Sequence, residues 1–191
     1  MPPTAPDLIQ FVPPSDWAVC LHEAGHAAAA IVVGSVPASM EIIDGPPPYG
    51  RNRILRVSGA PRRCIAVGGY VVELTLFQAN RLINADGQPI AEADFIAQAV
   101  GHNAALDKIA YFEADRQDAN GMWPACDDRA FMKFGAQLQP IFPIDKVFSL
   151  AAALIEERQL SSERIVEIWK AVKDADASVP AHTAADDFPP A

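Results

Sequence analysis

Two histidines and a glutamate near the start of the chain have the residue types and spacing needed for metal chemistry. His22, Glu23 and His26 stand in the stretch His-Glu-Ala-Gly-His. Residues four apart on an α-helix share a face, so both imidazoles can reach one tetrahedral Zn²⁺ while the Glu23 carboxylate points toward a water on the metal. The spacing therefore predicts a zinc site with Glu23 as general base. A catalytic zinc normally takes a third protein ligand.

A helix over residues 15–33 must position these side chains. Ser15 and Asp16 follow two prolines and are candidates for its N-cap, and Gly34 is the residue at which it should end. Between them only Gly25 interrupts the run of helix-compatible residues. With 4 His in 191 residues, an accidental match to this pattern is improbable.

The rest of the chain predicts a mainly α fold with a small β-hairpin or edge strands after the first helix. Two short β-prone runs flank a Pro-rich loop between residues 39 and 58, and an edge strand there could pair with an extended peptide or simply connect two helices. Helices are predicted at 61–83, 90–114 with a bend near Gly101, 127–138, 144–158 and 161–172. Gly68-Gly69 inside the second helix indicates close contact with a neighbouring helix.

Length and composition suit one globular domain over residues 15–174, since 50% of the 191 residues are hydrophobic and 20% charged. Prolines crowd residues 1–14, which predicts an N-terminal arm with Leu8, Ile9, Phe11 and Val12 as its anchors. Residues 175–191 lack apolar periodicity and are expected to be a disordered tail.

The charge and the cysteine content limit which classes of partner and which cellular compartment are expected. The net charge of −9 argues against nucleic acid and anionic lipid as partners. Three separated cysteines, Cys20, Cys64 and Cys126, suit a reducing compartment. No apolar run approaches the length of a membrane span, so we expect a cytoplasmic protein without membrane insertion.

The longer string His-Glu-Ala-Gly-His-Ala at residues 22–27 resembles the peptidase domain of FtsH-type AAA proteases. Val36-Pro37 with the strand-like residues 40–43 is similar to the segment that follows the metal helix in that family. Residues 67–73 resemble its G-G-x-x-A-E helix, departing at Val72, where the family usually has Ala. The resemblance implies a helical, zincin-like metallopeptidase domain.

The resemblance also implies a carboxylate as third zinc ligand. In FtsH-type domains this ligand is an Asp at or just before the start of the helix that follows the G-G-x-x-A-E helix. Asp94 is the best positional match, with Asp86 and Asp107 as alternatives. A carboxylate in the first turn of a helix is also stabilised by the helix dipole, so an Asp at such a position does not by itself require a metal.

Glu73 has two candidate roles. In gluzincin-type enzymes a helical Glu downstream of the two histidines is itself a ligand, whereas the FtsH resemblance implies a supporting bond to the ring of His22 or His26. His102 is interpreted as a surface or structural histidine and not as a ligand.

Together these features predict a zinc-dependent metallopeptidase that hydrolyses peptide bonds in peptides or unfolded segments, with Glu23 as the base. The sequence holds no G-x-x-x-x-G-K-[ST] motif, so any unfolding motor would be a separate ATPase partner, and a homo-oligomer is a further expectation. Two other hypotheses stay open: a zinc-containing pseudo-peptidase that binds peptides or a partner, and a helical domain without metal.

Overall fold

A computed structural model describes residues 6–54, 57–112 and 127–172, and this part of the chain is mainly helical, as predicted. The helices are α1 (Asp16–Val32), α2 (Ala60–Gln78), α3 (Glu92–Ile96), a π-helix (Ala97–Asn103), α4 (Ala105–Tyr111), α5 (Asp128–Leu138), a 3₁₀ turn (Gln139–Ile141), α6 (Ile144–Glu157) and α7 (Ser162–Ala171). The strands are β1 (Ile9–Val12), β2 (Pro37–Ile43), β3 (Tyr49–Ile54), β4 (Leu82–Asn84) and β5 (Gln159–Ser161).

Helix α1 lies at the centre of the fold and begins and ends where its sequence predicts. Ser15 caps it, since the hydroxyl oxygen accepts a hydrogen bond from the Ala18 N–H at 3.3 Å. Gly34 follows its last turn with φ of +80°, a conformation that glycine adopts without strain. The alanines 27–30 are fully buried against α2 and α6, so the helix is held on several sides.

Helices α1 and α2 cross at Gly25 and Gly68, where the two backbones touch. A Cβ atom added at either glycine would overlap the carbonyl group of the other. The predicted close contact of the Gly68-Gly69 pair is therefore confirmed, and its neighbour is the helix that carries His22 and His26. This crossing fixes the distance between the two helices, because any side chain at Gly25 or Gly68 would force them apart.

The predicted hairpin is present and forms part of a three-stranded sheet. Strand β2 pairs antiparallel with β3 on one side and with β5 on the other, so β3 is an edge strand. A loop at 44–48 joins β2 to β3, and β3 packs against α1. The sheet therefore presents one open strand edge beside the helix that carries the histidines.

A second, parallel pair of strands, β1 and β4, was not predicted. Ile9 and Phe11 of β1 are each only 1% exposed and Val12 packs against the core, so these three anchor the N-terminal segment as expected, whereas Leu8 is exposed and does not. The helix predicted over 61–83 ends earlier, at Gln78, because the chain turns at Asn80 (φ 54°) and Leu82–Asn84 pairs with β1. Tertiary pairing here outweighs the local apolar pattern.

The helix predicted over 90–114 is divided into three pieces. Its first turns are α3, the middle is a π-helix, and the chain leaves helical geometry at Ala104 (ψ 13°) before α4 begins at Ala105. The break falls three residues after the bend expected at Gly101. The last two residues of this predicted helix and the tail expected at 175–191 lie outside the described residues.

None of the described helices is by itself long and apolar enough to span a membrane; α5 with its 3₁₀ turn and α6 reach that length together but are bent by 100°.

Candidate metal centre

Helix α1 directs His22 and His26 into the same small space. Their Nε2 atoms lie 3.0 Å apart, with the rings in an edge-to-face arrangement. Their side chains are 12% and 8% exposed. Four-residue spacing on a helix brings two rings together in this way whenever both point from the same face.

Asp107, in the first turn of α4, completes the cluster. Its Oδ2 lies 3.2 Å from Nε2 of His22 and 3.2 Å from Nε2 of His26. This oxygen is buried, and no hydrogen bond of regular geometry satisfies it in the described part of the chain. Among the described residues, His22, His26 and Asp107 form the group of potential ligands whose donor atoms converge.

The outer nitrogens of both rings are already engaged. Nδ1 of His22 lies 2.8 Å from Oε1 of Glu73, and Nδ1 of His26 lies 2.7 Å from the carbonyl oxygen of Ile65. A carbonyl can only accept, so Nδ1 of His26 carries the hydrogen, and the Glu73 carboxylate assigns the same tautomer to His22. In the neutral rings, both Nε2 atoms therefore present lone pairs to each other and to Oδ2 of Asp107.

The three donor atoms fit a bound divalent cation. Lone pairs separated by 3.0–3.2 Å repel one another unless a positive charge lies between them. Zinc bonds of about 2.0–2.1 Å at tetrahedral angles separate neighbouring ligand atoms by about 3.4 Å, close to the distances here. Two imidazoles and one carboxylate also form a common ligand set of catalytic zinc.

Protons compete with a metal for the same atoms. Burial acts to lower the pKa of His22, but the carboxylates of Glu73 and Asp107 outweigh it and raise this pKa well above its ordinary value. Burial likewise opposes a higher pKa for His26, and Asp107 more than compensates, so this pKa is raised too. The pKa of Asp107 is lowered by the two histidines despite its burial.

Glu73 supports His22 from behind and belongs to a chain of amide contacts. The residue is 2% exposed, and its Oε1 accepts hydrogen bonds from His22 Nδ1 and, at 2.7 Å, from the side-chain amide of Asn103. Gln98 in turn donates to Oδ1 of Asn103 at 2.8 Å. Both amides lie on the π-helix, five residues apart, which is the span of one hydrogen-bonded π-turn. Glu73 is thus a supporting residue in this geometry and not a member of the ligand cluster.

Glu23 lies beside the cluster, on the same cleft. Its side chain is largely buried, at 9% exposure, and it contacts strand β3. The cleft has a volume of about 1430 Å³, and its walls include His22, Glu23, His26 and Asp107 together with residues of β3 and α4. A carboxylate and a candidate metal site therefore open onto one space large enough for an extended peptide segment.

Asp107, and not Asp94, is the carboxylate that the structure brings to the two histidines. Asp94 is exposed on α3, and Asp86 is exposed in the turn after β4. The preference for Asp94 assumed one continuous helix from residue 90, whereas the break at Ala104 starts a new helix with Asp107 in its first turn. A helix does begin beside Asp94, as predicted, but it is the later helix start, at Ala105, that carries a carboxylate to the histidines.

Other polar residues on the cleft were not singled out from the sequence. Asn52, Gln98 and Asn103 line it, and an isolated amide in a strand or helix has no spacing pattern that would reveal such a role. His102 also lines the cleft, is exposed, and is not one of the three converging residues.

The chain was compared with models of protein families and with curated proteins, and neither comparison gave a match.

Proposed function

We propose that this protein is a zinc-dependent metallopeptidase that hydrolyses peptide bonds in peptides or flexible protein segments. The observation that carries the proposal is the convergence of three lone-pair donors, from His22, His26 and Asp107, beside the Glu23 carboxylate in one cleft. The string His-Glu-Ala-Gly-His-Ala and its resemblance to FtsH-type peptidase domains support the same reading, with a zincin-like helical fold.

His22, His26 and Asp107 would hold the ion, with Glu73 and the Ile65 carbonyl fixing the two rings. Zinc in such a site supplies Lewis acidity, which polarises a carbonyl group and makes water easier to deprotonate. Glu23 accepts the proton from the attacking water and delivers it to the leaving amine, so it acts first as base and then as acid. No nucleophilic side chain is required.

Strand β3 gives a route for holding the substrate. It is an edge strand, and Tyr49, Gly50, Asn52 and Ile54 line the cleft that contains Glu23. An extended peptide could add to this edge by main-chain hydrogen bonds, which bind any sequence, and lie across the catalytic groups. Such pairing requires an unfolded segment, which is why peptides and flexible segments are the proposed substrates.

The test combines metal analysis with digestion. The purified protein should bind about one zinc per chain and cleave a library of unstructured peptides, while Glu23→Gln should keep the zinc and lose at least about 100-fold in rate. Glu156→Gln, a change at an exposed position on α6, is the matched control and should cleave normally. Equal cleavage by wild type and Glu23→Gln would exclude Glu23 as the base.

Zinc binding without cleavage of any peptide, alone or with an ATPase partner, would instead identify a pseudo-peptidase that binds peptides. Absence of stoichiometric zinc binding would exclude both proposals.

A further inference from the structure

The side chain of Asn52 holds the Glu23 carboxylate in place. Asn52 lies on β3, and its Nδ2 group donates two hydrogen bonds to the same residue of α1, one to the Glu23 backbone carbonyl at 2.8 Å and one to Oε2 of Glu23 at 2.5 Å. The two contacts connect the carboxylate to its own main chain through a single amide group.

The orientation of the amide is fixed by these contacts. Both partners of Nδ2 are acceptors, so exchanging the amide oxygen and nitrogen would place an acceptor against two acceptors. Oδ1 of Asn52 is buried and has no hydrogen-bond partner among the described residues. Within the described fold, the polar contacts of this side chain are thus directed at Glu23.

The backbone of β3 leaves the space that this arrangement needs. Gly50 precedes Asn52 by two residues and therefore lies on the same face of the strand. A Cβ atom at Gly50 would overlap Cγ of Glu23. Strand β3 thus makes two contributions to Glu23. Gly50 leaves room for the side chain, and Asn52 donates a hydrogen bond to its carboxylate.

We propose that Asn52 is a positioning residue for the general base, an inference that rests on the proposed peptidase function. A glutamate side chain has several rotatable bonds, and its free carboxylate would sample positions that cannot reach the attacking water. Two hydrogen bonds from one amide select a single arrangement, so that the base is in place before substrate binds. Asn52 donates to Oε2 of Glu23 and not to Oε1, so Oε1 is the oxygen left to accept a proton.

The kinetic test replaces Asn52 by leucine, which has a similar volume and no donor. In the zinc-loaded protein, Asn52→Leu should lower kcat by about 10- to 100-fold, a part of what a general base contributes, while KM and zinc content change by less than about twofold. Gln159→Leu makes the same amide-to-leucine change at an exposed position of β5, away from β3 and the cleft, and is the matched control that should change neither parameter. An unchanged kcat in Asn52→Leu, or a rise in KM alone, would overturn the proposal.

A second measurement does not depend on activity. The side-chain NH₂ signals of Asn52 in ¹⁵N–¹H spectra should be protected from exchange in the wild type, and should shift and lose protection in Glu23→Ala but not in Glu156→Ala. Unaltered Asn52 signals in Glu23→Ala would refute the contact, even if Asn52→Leu failed to fold. If the wild type proves inactive, the peptidase function fails, while these spectra still decide whether Asn52 holds Glu23.

Discussion

His22 and Asp107 come from different helices, α1 and α4, and bring Nε2 and Oδ2 to 3.2 Å from each other. Because this oxygen is buried and makes no regular hydrogen bond within the described part of the chain, the pair is best satisfied by a shared cation. We therefore expect Asp107→Asn to weaken zinc binding by more than the roughly 10- to 100-fold that loss of an outer partner costs. Isothermal titration with zinc measures this. Asp94→Asn is the matched control and should bind zinc normally. Weak zinc binding by Asp94→Asn together with normal binding by Asp107→Asn would make Asp94 the ligand.

Replacing Glu73, the hydrogen-bond partner of His22, should weaken zinc binding less than replacing Asp107 does. Glu73→Gln keeps the size of the side chain but removes the charge that orients and polarises the ring, so zinc affinity should fall by about 10- to 100-fold. Competition with a chromogenic chelator provides the measurement. Glu156→Gln, at an exposed site on α6, should leave the affinity unchanged. Complete loss of zinc in Glu73→Gln would instead argue that Glu73 is itself a ligand.

Zinc binding at the candidate site should depend on pH over the range in which His22 and His26 lose their protons. Their pKa values are raised in the metal-free fold, so protonated rings stabilise it below the unfolded-state pKa of about 6.5, and this contribution is lost as pH rises through the higher folded values. Zinc binding requires deprotonated rings and strengthens over the same range. The melting temperature with zinc, minus that with a chelator, should therefore increase from pH 6 to pH 8. A difference independent of pH would show that these rings do not bind the metal.

Gly69 should tolerate no side chain. A Cβ at this position would lie 2.6 Å from Nδ1 and Nε2 of His22, so Gly69→Ala must displace the ring. We expect about 1–3 kcal/mol lower stability from overpacking, together with weaker zinc binding. Chemical denaturation and zinc titration measure the two effects. Gly101→Ala is the control, because nothing lies within 4 Å of a Cβ built there. Normal zinc binding by Gly69→Ala would mean that the ring can shift without leaving the metal.

Much of the local structure could be predicted from the sequence because its signals are local. The cap at Ser15, the stop at Gly34 and the four-residue spacing of His22 and His26 each depend on neighbouring residues alone. The mainly helical fold with a hairpin after α1 follows from the periodicity of apolar residues in the same way.

The features that were missed depend on contacts between distant segments. Strand β4 forms because β1 is available to pair with it, and the break at Ala104 separates two pieces whose apolar patterns run on without interruption. The break determines which carboxylate lies beside the histidines, because it begins a second helix whose first turn holds Asp107. The contact of Asn52 with Glu23 likewise requires the hairpin to fold onto α1, which a residue pattern does not encode.

The open edge of β3 could pair with a second copy of the chain as well as with a substrate peptide. Unpaired strand edges can join to a second copy of the same chain, which leads to aggregation. Arg51 and Arg53 are both exposed on β3, so two copies approaching edge to edge would bring four guanidinium groups together. Of these two arginines, Arg51 is the one with an acidic partner among the described residues, Glu41. Like charges oppose that association while leaving the strand able to accept an uncharged or acidic peptide. The same two arginines would thus select against self-pairing at the place where a substrate would bind.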